Sequence, residues 1–183
     1  MKLFKYENYE VKVSEEALIL EPFKKIWNRD KSKNKDKALM ELGFIYFMED
    51  PRSDYQYIVD KDERKKAIKE GEGFKNSWEP DKIIEDGLKL YSSFKTTSSL
   101  LLEDTRYAID KLRKYLREID LNEVDDKGKP IFTLNTITST IKQIPALIKD
   151  LDIAEKSLNK EIEEQGKIRG GGEKTLFEDS LDL

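Results

Sequence analysis

Apolar positions recur at alternating intervals of four and three from Leu101 through Thr105, Ala108, Leu112, Tyr115 and Ile119. That period draws one stripe down a helix and predicts a helix over 100–120. Arg106, Asp110, Lys111, Arg113, Lys114, Arg117 and Glu118 keep the opposite face in water, while Leu102, Ile109 and Leu116 widen the stripe. A second stripe follows at Leu134, Ile137, Ile141, Ile144, Ile148, Leu151, Leu158 and Ile162, with Pro145 inside it as a bend. Between them Asp125, Asp126, Gly128 and Pro130 favour a reversal of direction. The pattern predicts a long antiparallel helical hairpin as the core, with Leu112 and Ile144 buried in it and the other segments packed around it.

Weaker patterns surround this pair. Residues 1–13 alternate loosely around Leu3, Tyr9, Val11 and Val13, as an extended arm or a strand does, and Ser14 starts a short turn. Pro22 suits the first position of a helix that buries Phe23, Ile26 and Trp27. A longer helix over 34–49 places Leu39, Leu42, Ile45, Tyr46 and Met48 inward and stops at Asp50-Pro51. After a loop over 52–59, Asp60 with Glu63 caps a short helix that Gly71 closes, and Pro80 opens another through Ile83, Ile84, Leu88, Tyr91 and Phe94. Beyond Gln165 the apolar rhythm stops, and Gly170-Gly171-Gly172 reads as a flexible joint. The expected fold is all-α: an extended arm at 1–13, a helical domain over 14–165 built as a bundle on the hairpin, and an extended tail at 166–183.

Composition removes several chemistries. With no Cys and no His among 183 residues, disulfides, thiolate metal sites and His-based nucleophile arrangements are excluded, and no catalytic activity and no cofactor are expected. Charged residues are 39% of the chain, and the longest apolar runs fall far short of a membrane span, so no membrane is expected as a partner. Asp50, Asp54, Asp60, Asp62 and Glu63 lack calcium-loop spacing and read as capping and loop residues. The triple glycine beside Arg169 has neither the strand nor the Lys-Ser/Thr of a phosphate cradle.

The charge is unevenly placed. Lys24, Lys25, Arg29, Lys31, Lys33, Lys35 and Lys37 face only Asp30 and Asp36 over 22–37, a local +5 in a chain of net charge −4. The segment reads as a solvated loop between helices, or as a surface for nucleic acid or an acidic partner. The tail carries Glu173, Glu178, Asp179 and Asp182 against Lys174, with Leu176, Phe177, Leu181 and Leu183 as its apolar side chains. These are too few to fold on themselves, so they are expected to lie against another chain. The two heptad stripes are open to two readings, packing within the chain or a coiled-coil oligomer. Arg52 offers a planar fork to a carboxylate, with Asp50 close by, either as a brace inside the chain or as a contact between subunits.

The run over 21–55, EPFKKIWNRDKSKNKDKALMELGFIYFMEDPRSDY, with its Phe23, Trp27, Asp30 and Lys31, resembles a group of small virion structural proteins of tailed bacteriophages, of the crAss-like and other large podovirus-like kinds. The likeness extends through ERKKAIK at 63–69, WEPD at 78–81, the helical hairpin and the glycine-rich segment. The resemblance implies a head-to-tail connector of the neck, a homo-oligomeric ring of the dodecameric type beneath the portal. Its partners would be the portal, other neck or tail proteins and the transiting genomic DNA. Its location would be the virion neck, after assembly in the host cytoplasm. Arg52, Tyr55, Leu176, Phe177, Leu181 and Leu183 are then the expected partner-binding residues. The rival reading is a nucleic-acid-binding virion or cargo protein that uses the basic 24–37 segment.

Overall fold

The computed structural model describes residues 3–168, which form six helices and one two-stranded sheet. Strands β1 (Phe4–Glu7) and β2 (Glu10–Val13) pair antiparallel, Phe4 opposite Val13 and Glu7 opposite Glu10. Asn8 and Tyr9 join them with φ of 55° and 62°, the two positive values of a tight hairpin turn whose twist matches the strands. The expected extended arm is therefore a hairpin. Its first strand satisfies its edge on the next few residues, and Leu3 and Phe4 are fully buried against the helices.

Helix α1 (Glu21–Arg29) has Pro22 in its first turn and buries Phe23 and Ile26, with Trp27 half-buried. Helix α2 (Asp36–Glu49) is the centre of the core, and every residue from Glu41 to Asp50 is buried. The expected one-sided stripe captured Leu42, Ile45, Tyr46 and Met48, but Ala38, Phe44 and Phe47 are inside as well, because α2 is enclosed on several sides. The sheet, α1, α3 (Lys61–Gly71) and α4 (Lys82–Ser92) all pack on it. Phe4 stacks on Tyr91 at 5.3 Å and meets Phe23 edge-on, while Phe44 meets Phe74 and Trp78. Gly87 lets α4 approach closely, since a Cβ there would come within 2.7 Å of Ile45 Cδ1. Asp60 caps α3 as its spacing predicts, accepting from the Asp62 and Glu63 amides.

Helices α5 (Thr97–Glu118) and α6 (Leu134–Ile168) form a second, smaller unit. Thr96 meets Glu161, Ser98 meets Ser157 and Arg106 meets Glu155. The buried residues between them are Leu102, Ala154 and Leu158, with Leu151 and Ile162 packed alongside. The main core lies on α2 rather than between these two helices. Leu112 and Ile144, expected to be buried, are half-buried. On α5 the inner row is Leu102, Ile109, Leu112 and Leu116, while Leu101, Ala108 and Tyr115 are exposed. The periodicity identified the helix correctly, but its apolar arc is wider than the strip one neighbouring helix can cover. The connection is closed by a bridge between Val124 and Pro130, and Gly128 has φ 74°. Among the described residues no helix is long and apolar enough to cross a membrane.

Phe4→Ala is expected to cost about 3–5 kcal/mol in chemical denaturation, as for a fully buried aromatic. Tyr9→Gly should gain up to about 1 kcal/mol, because a 92%-exposed side chain is being held at positive φ. Equal effects of Phe4→Ala and Tyr9→Gly would mean that the hairpin does not sit on the core.

Candidate functional site

The densest polar arrangement is built where α2 ends. Pro51 forbids a further turn and leaves the last carbonyls of α2 inside the protein, where each needs a donor. Ser53 Oγ donates to the Phe47 carbonyl at 3.1 Å, and Gln56 Nε2 reaches those of Phe47 and Met48 at 3.3 and 3.0 Å. Arg64, from α3, donates Nη1 to Met48 at 2.8 Å and Nε to the Ile58 carbonyl at 2.8 Å. Burial lowers the pKa of its guanidinium from the usual value.

Asp50 is the next residue, and its side chain is only 3% exposed. Oδ1 accepts from the Arg52 amide at 2.9 Å and from Arg52 Nε at 2.8 Å. Oδ2 accepts from Arg52 Nη2 and from the Tyr91 hydroxyl, both at 2.5 Å. Arg52 Nη2 also reaches the Phe4 carbonyl at 3.3 Å, tying strand β1 to the node. Burial, followed by the negative charge of Asp50, raises the Tyr91 phenol and pushes Tyr46 up to about 12. Glu49 pairs with Lys95 at 2.6 Å, and Lys95 also holds Glu103 of α5.

Arg52 thus forms the expected fork, and it does so inside the chain. Tyr55 is spent inside too: its hydroxyl donates to Glu72 at 2.8 Å and its ring lies edge-on to Phe47. An acid whose oxygens are filled by four donors of its own chain joins segments together. Asp50, Asp54, Asp60, Asp62 and Glu63 do not converge as a metal-ligating group. A cavity of about 70 Å³ lies at the seam between this node and α6, lined by Asp50, Tyr91, Lys95, Ser99, Leu158 and Glu161 among others, a volume suited to ordered water. Sequence spacing placed Tyr91 on the apolar face of its helix but gave no signal that it or Lys95 would join the node from more than forty residues away.

The basic segment is largely committed to structure. Arg29 binds Glu41 at 2.7 Å and also Asp81, bracing α1, α2 and α4. Lys35 donates to the Trp27 and Asp30 carbonyls, Lys25 pairs with Glu21 at 3.1 Å, and Lys37 lies 3.9 Å from Glu41. Lys24, Lys31 and Lys33 are exposed and form no ion pair among the described residues. Asp30 organises the loop, taking the Ser32 amide at 2.8 Å and the Ala38 amide at 3.0 Å, and these bonds hold its carboxyl down from 3.8 to about 2. Leu176, Phe177, Leu181 and Leu183 lie outside the described residues.

Most of the exposed large apolar side chains among the described residues lie on α5, α6 and their connection. Leu134 is 75% exposed, Ile141 51% and Ile148 56%, at seven-residue intervals on α6. Leu101 and Tyr115 on α5 are 54% and 41% exposed, and Leu121, Val124 and Ile131 continue the apolar surface at the connection. The stretch 131–148 carries one charged residue, Lys142, in a chain that is 39% charged. That scarcity of charge was readable from the sequence. It marks a surface composed like the buried centre of an interface.

Asp50→Asn should cost about 2–4 kcal/mol, less than fully orphaning a buried cation because the Arg52 side chain keeps 27% exposure. The Asp50→Asn/Arg52→Met double variant should cost less than the two single changes combined, measured as a denaturation cycle. For Asp30 the folded carboxyl titrates below the unfolded one. Its contribution to stability is therefore full above about pH 4 and lost as the pH falls toward 2. Asp30→Asn should flatten that part of the acid-unfolding profile, and an unchanged slope would contradict the assignment.

No family model, no curated protein and no solved structure matches this chain.

Proposed function

We propose that this chain is a structural assembly protein, and specifically a tailed-phage head-to-tail adaptor that takes its place in a ring beneath the portal. The observation that carries an assembly role is the uncovered apolar surface on α5 and α6, paired with a head in which Asp50, Arg52, Arg64 and Lys95 are bonded inside the chain. The sequence resemblance supplies the specific form. In this reading α5 and α6 are an antiparallel helical hairpin that completes a bundle with neighbouring copies, and the head supports it through Lys95. The acidic tail clamps onto a basic surface of the portal or of another neck or tail protein.

The rival reading, nucleic-acid binding through the 24–37 segment, retains Lys24, Lys31 and Lys33, with the exposed Lys25 and Lys37 beside them. Three to five phosphate contacts would give a salt slope of about −3 to −4.5 on duplex DNA.

The test uses purified particles. Deleting residues 170–183 should leave the melting of the helical head unchanged while weakening incorporation into particles and co-purification with the portal. Replacing Lys24, Lys31 and Lys33 with Gln should leave both intact. If the truncated chain assembles normally and the triple-Gln chain loses DNA affinity and incorporation together, the nucleic-acid reading replaces the adaptor.

A further inference from the structure

We propose that the groove between the β-hairpin and α2 binds an arginine side chain presented by a segment of another protein. The inference goes beyond the adaptor reading and does not rest on it.

The groove follows from the way the β-hairpin sits on α2. Tyr6 and Val11 are paired across the sheet and share the face that packs on the core, while Lys5 and Lys12 share the other face. Gly43 admits the strand, since a Cβ there would come within 3.3 Å of Val11 Cγ2. Asp36, Met40, Gly43 and Phe47 recur at helical spacing on α2 and line the same groove. The Tyr6 and Phe47 rings stand at 77° with centroids 5.4 Å apart, which makes an aromatic corner. The groove has a volume of about 280 Å³.

Charge names the occupant. The charged residues that line the groove are Glu10, Asp36 and Glu72, and no Lys or Arg among the described residues lines it, in a chain with 34 basic residues. The cations beside Asp36 in sequence are engaged elsewhere: Lys35 donates to the Trp27 and Asp30 carbonyls, and Lys37 lies 3.9 Å from Glu41. Glu72 Oε1 accepts the Tyr55 hydroxyl, and Oε2 has no bond among the described residues. Burial and then the charges of Glu72 and Asp54 raise the Tyr6 phenol, in keeping with a negative surrounding. A guanidinium meets both demands at once, because its plane lies on an aromatic face while its fork of donors reaches a carboxylate. A lysine offers a point charge without the plane.

Tyr9, at the mouth of the groove, points the same way. Its φ is 62° and it is 92% exposed, so neither backbone preference nor burial accounts for a tyrosine there. Its ring is placed to cover a bound cation.

The test titrates the full chain, followed by nuclear magnetic resonance, with acetyl-Gly-Arg-Gly-amide and with its lysine and citrulline counterparts. Citrulline keeps the shape of arginine and removes its charge. The expected result is a saturable shift centred on residues 6–11, 36–47 and 72, with the citrulline peptide at least about tenfold weaker, as for the loss of a charge-assisted contact. Asp36→Asn with Glu72→Gln should weaken the arginine peptide by about as much, near-ultraviolet circular dichroism from Trp27 and Trp78 reporting that the head is folded. Tyr9→Gly should weaken it too while the melting temperature does not fall, a combination that a merely structural tyrosine would not give. Equal binding of the citrulline peptide, shifts centred elsewhere, or no saturable shift in the folded chain would overturn the site. Equal binding of the lysine peptide would overturn the choice of arginine. Shifts at the same residues on raising the concentration of the chain alone would overturn it in favour of a second copy as the occupant.

Discussion

The end of α2 is buried, and a buried helix end cannot be left with bare carbonyls. Water is not there to satisfy them, so donors must come from the chain itself. Arg64 is drawn from α3, Ser53 and Gln56 from the loop, and Arg52 and Tyr91 close on the adjacent Asp50. Lys95 completes the set on Glu49 and carries the connection onward to Glu103 on α5. These bonds specify where β1, α3, α4 and the start of α5 must sit relative to α2. Apolar burial supplies most of the driving force, but it is indifferent to small slips; a carboxylate with four directed donors is not.

The parts of this arrangement that were legible in the sequence are those whose signals are local. Pro22, the Asp60 cap and the Asp50-Pro51 stop each act within one helical turn, and the element ends they predict are present. Arg52 lies two residues from Asp50, so its fork was also legible. Tyr91 is 41 residues away from Asp50 and Lys95 is 46 from Glu49, and no periodicity links residues at that separation. The β-hairpin was obscured because its turn is Asn-Tyr rather than Asn-Gly, and because Phe4, its main anchor, belongs to no clear alternation. On α2 the pattern showed one apolar face, whereas the folded helix is enclosed on several sides.

In the basic segment, part of the local charge excess is taken up inside the fold. Arg29 gains two carboxylates from distant elements, and Lys35 turns back to the carbonyls at the end of α1. Asp30, one of only two acids in the segment, is the hub that shapes the loop through amide bonds. Counting charges along the chain gave +5, yet Lys35 is held by carbonyls, and among the described residues Lys24, Lys31 and Lys33 form neither an ion pair nor such a bond.

Head and hairpin therefore differ in kind. In the head, buried aromatic contacts and directed polar bonds leave few groups seeking a partner. In α5 and α6, 22 and 35 residues of helix, the buried residues among those described are Ser99, Leu102, Ala154 and Leu158. Isolated helices of this sort derive most of their stability from tertiary packing, so a pair with so narrow a buried seam has much to gain from a further surface. The bend available at Pro145 and the uncharged run around it let α6 adapt its apolar side to that surface without first desolvating charge. Lys95, paired with Glu49 in the head and Glu103 on α5, ties the start of α5 to the buried end of α2. The head is thus fixed by directed bonds, whereas α5 and α6 are joined to it through the buried Lys95–Glu49 pair and keep much of their apolar surface uncovered.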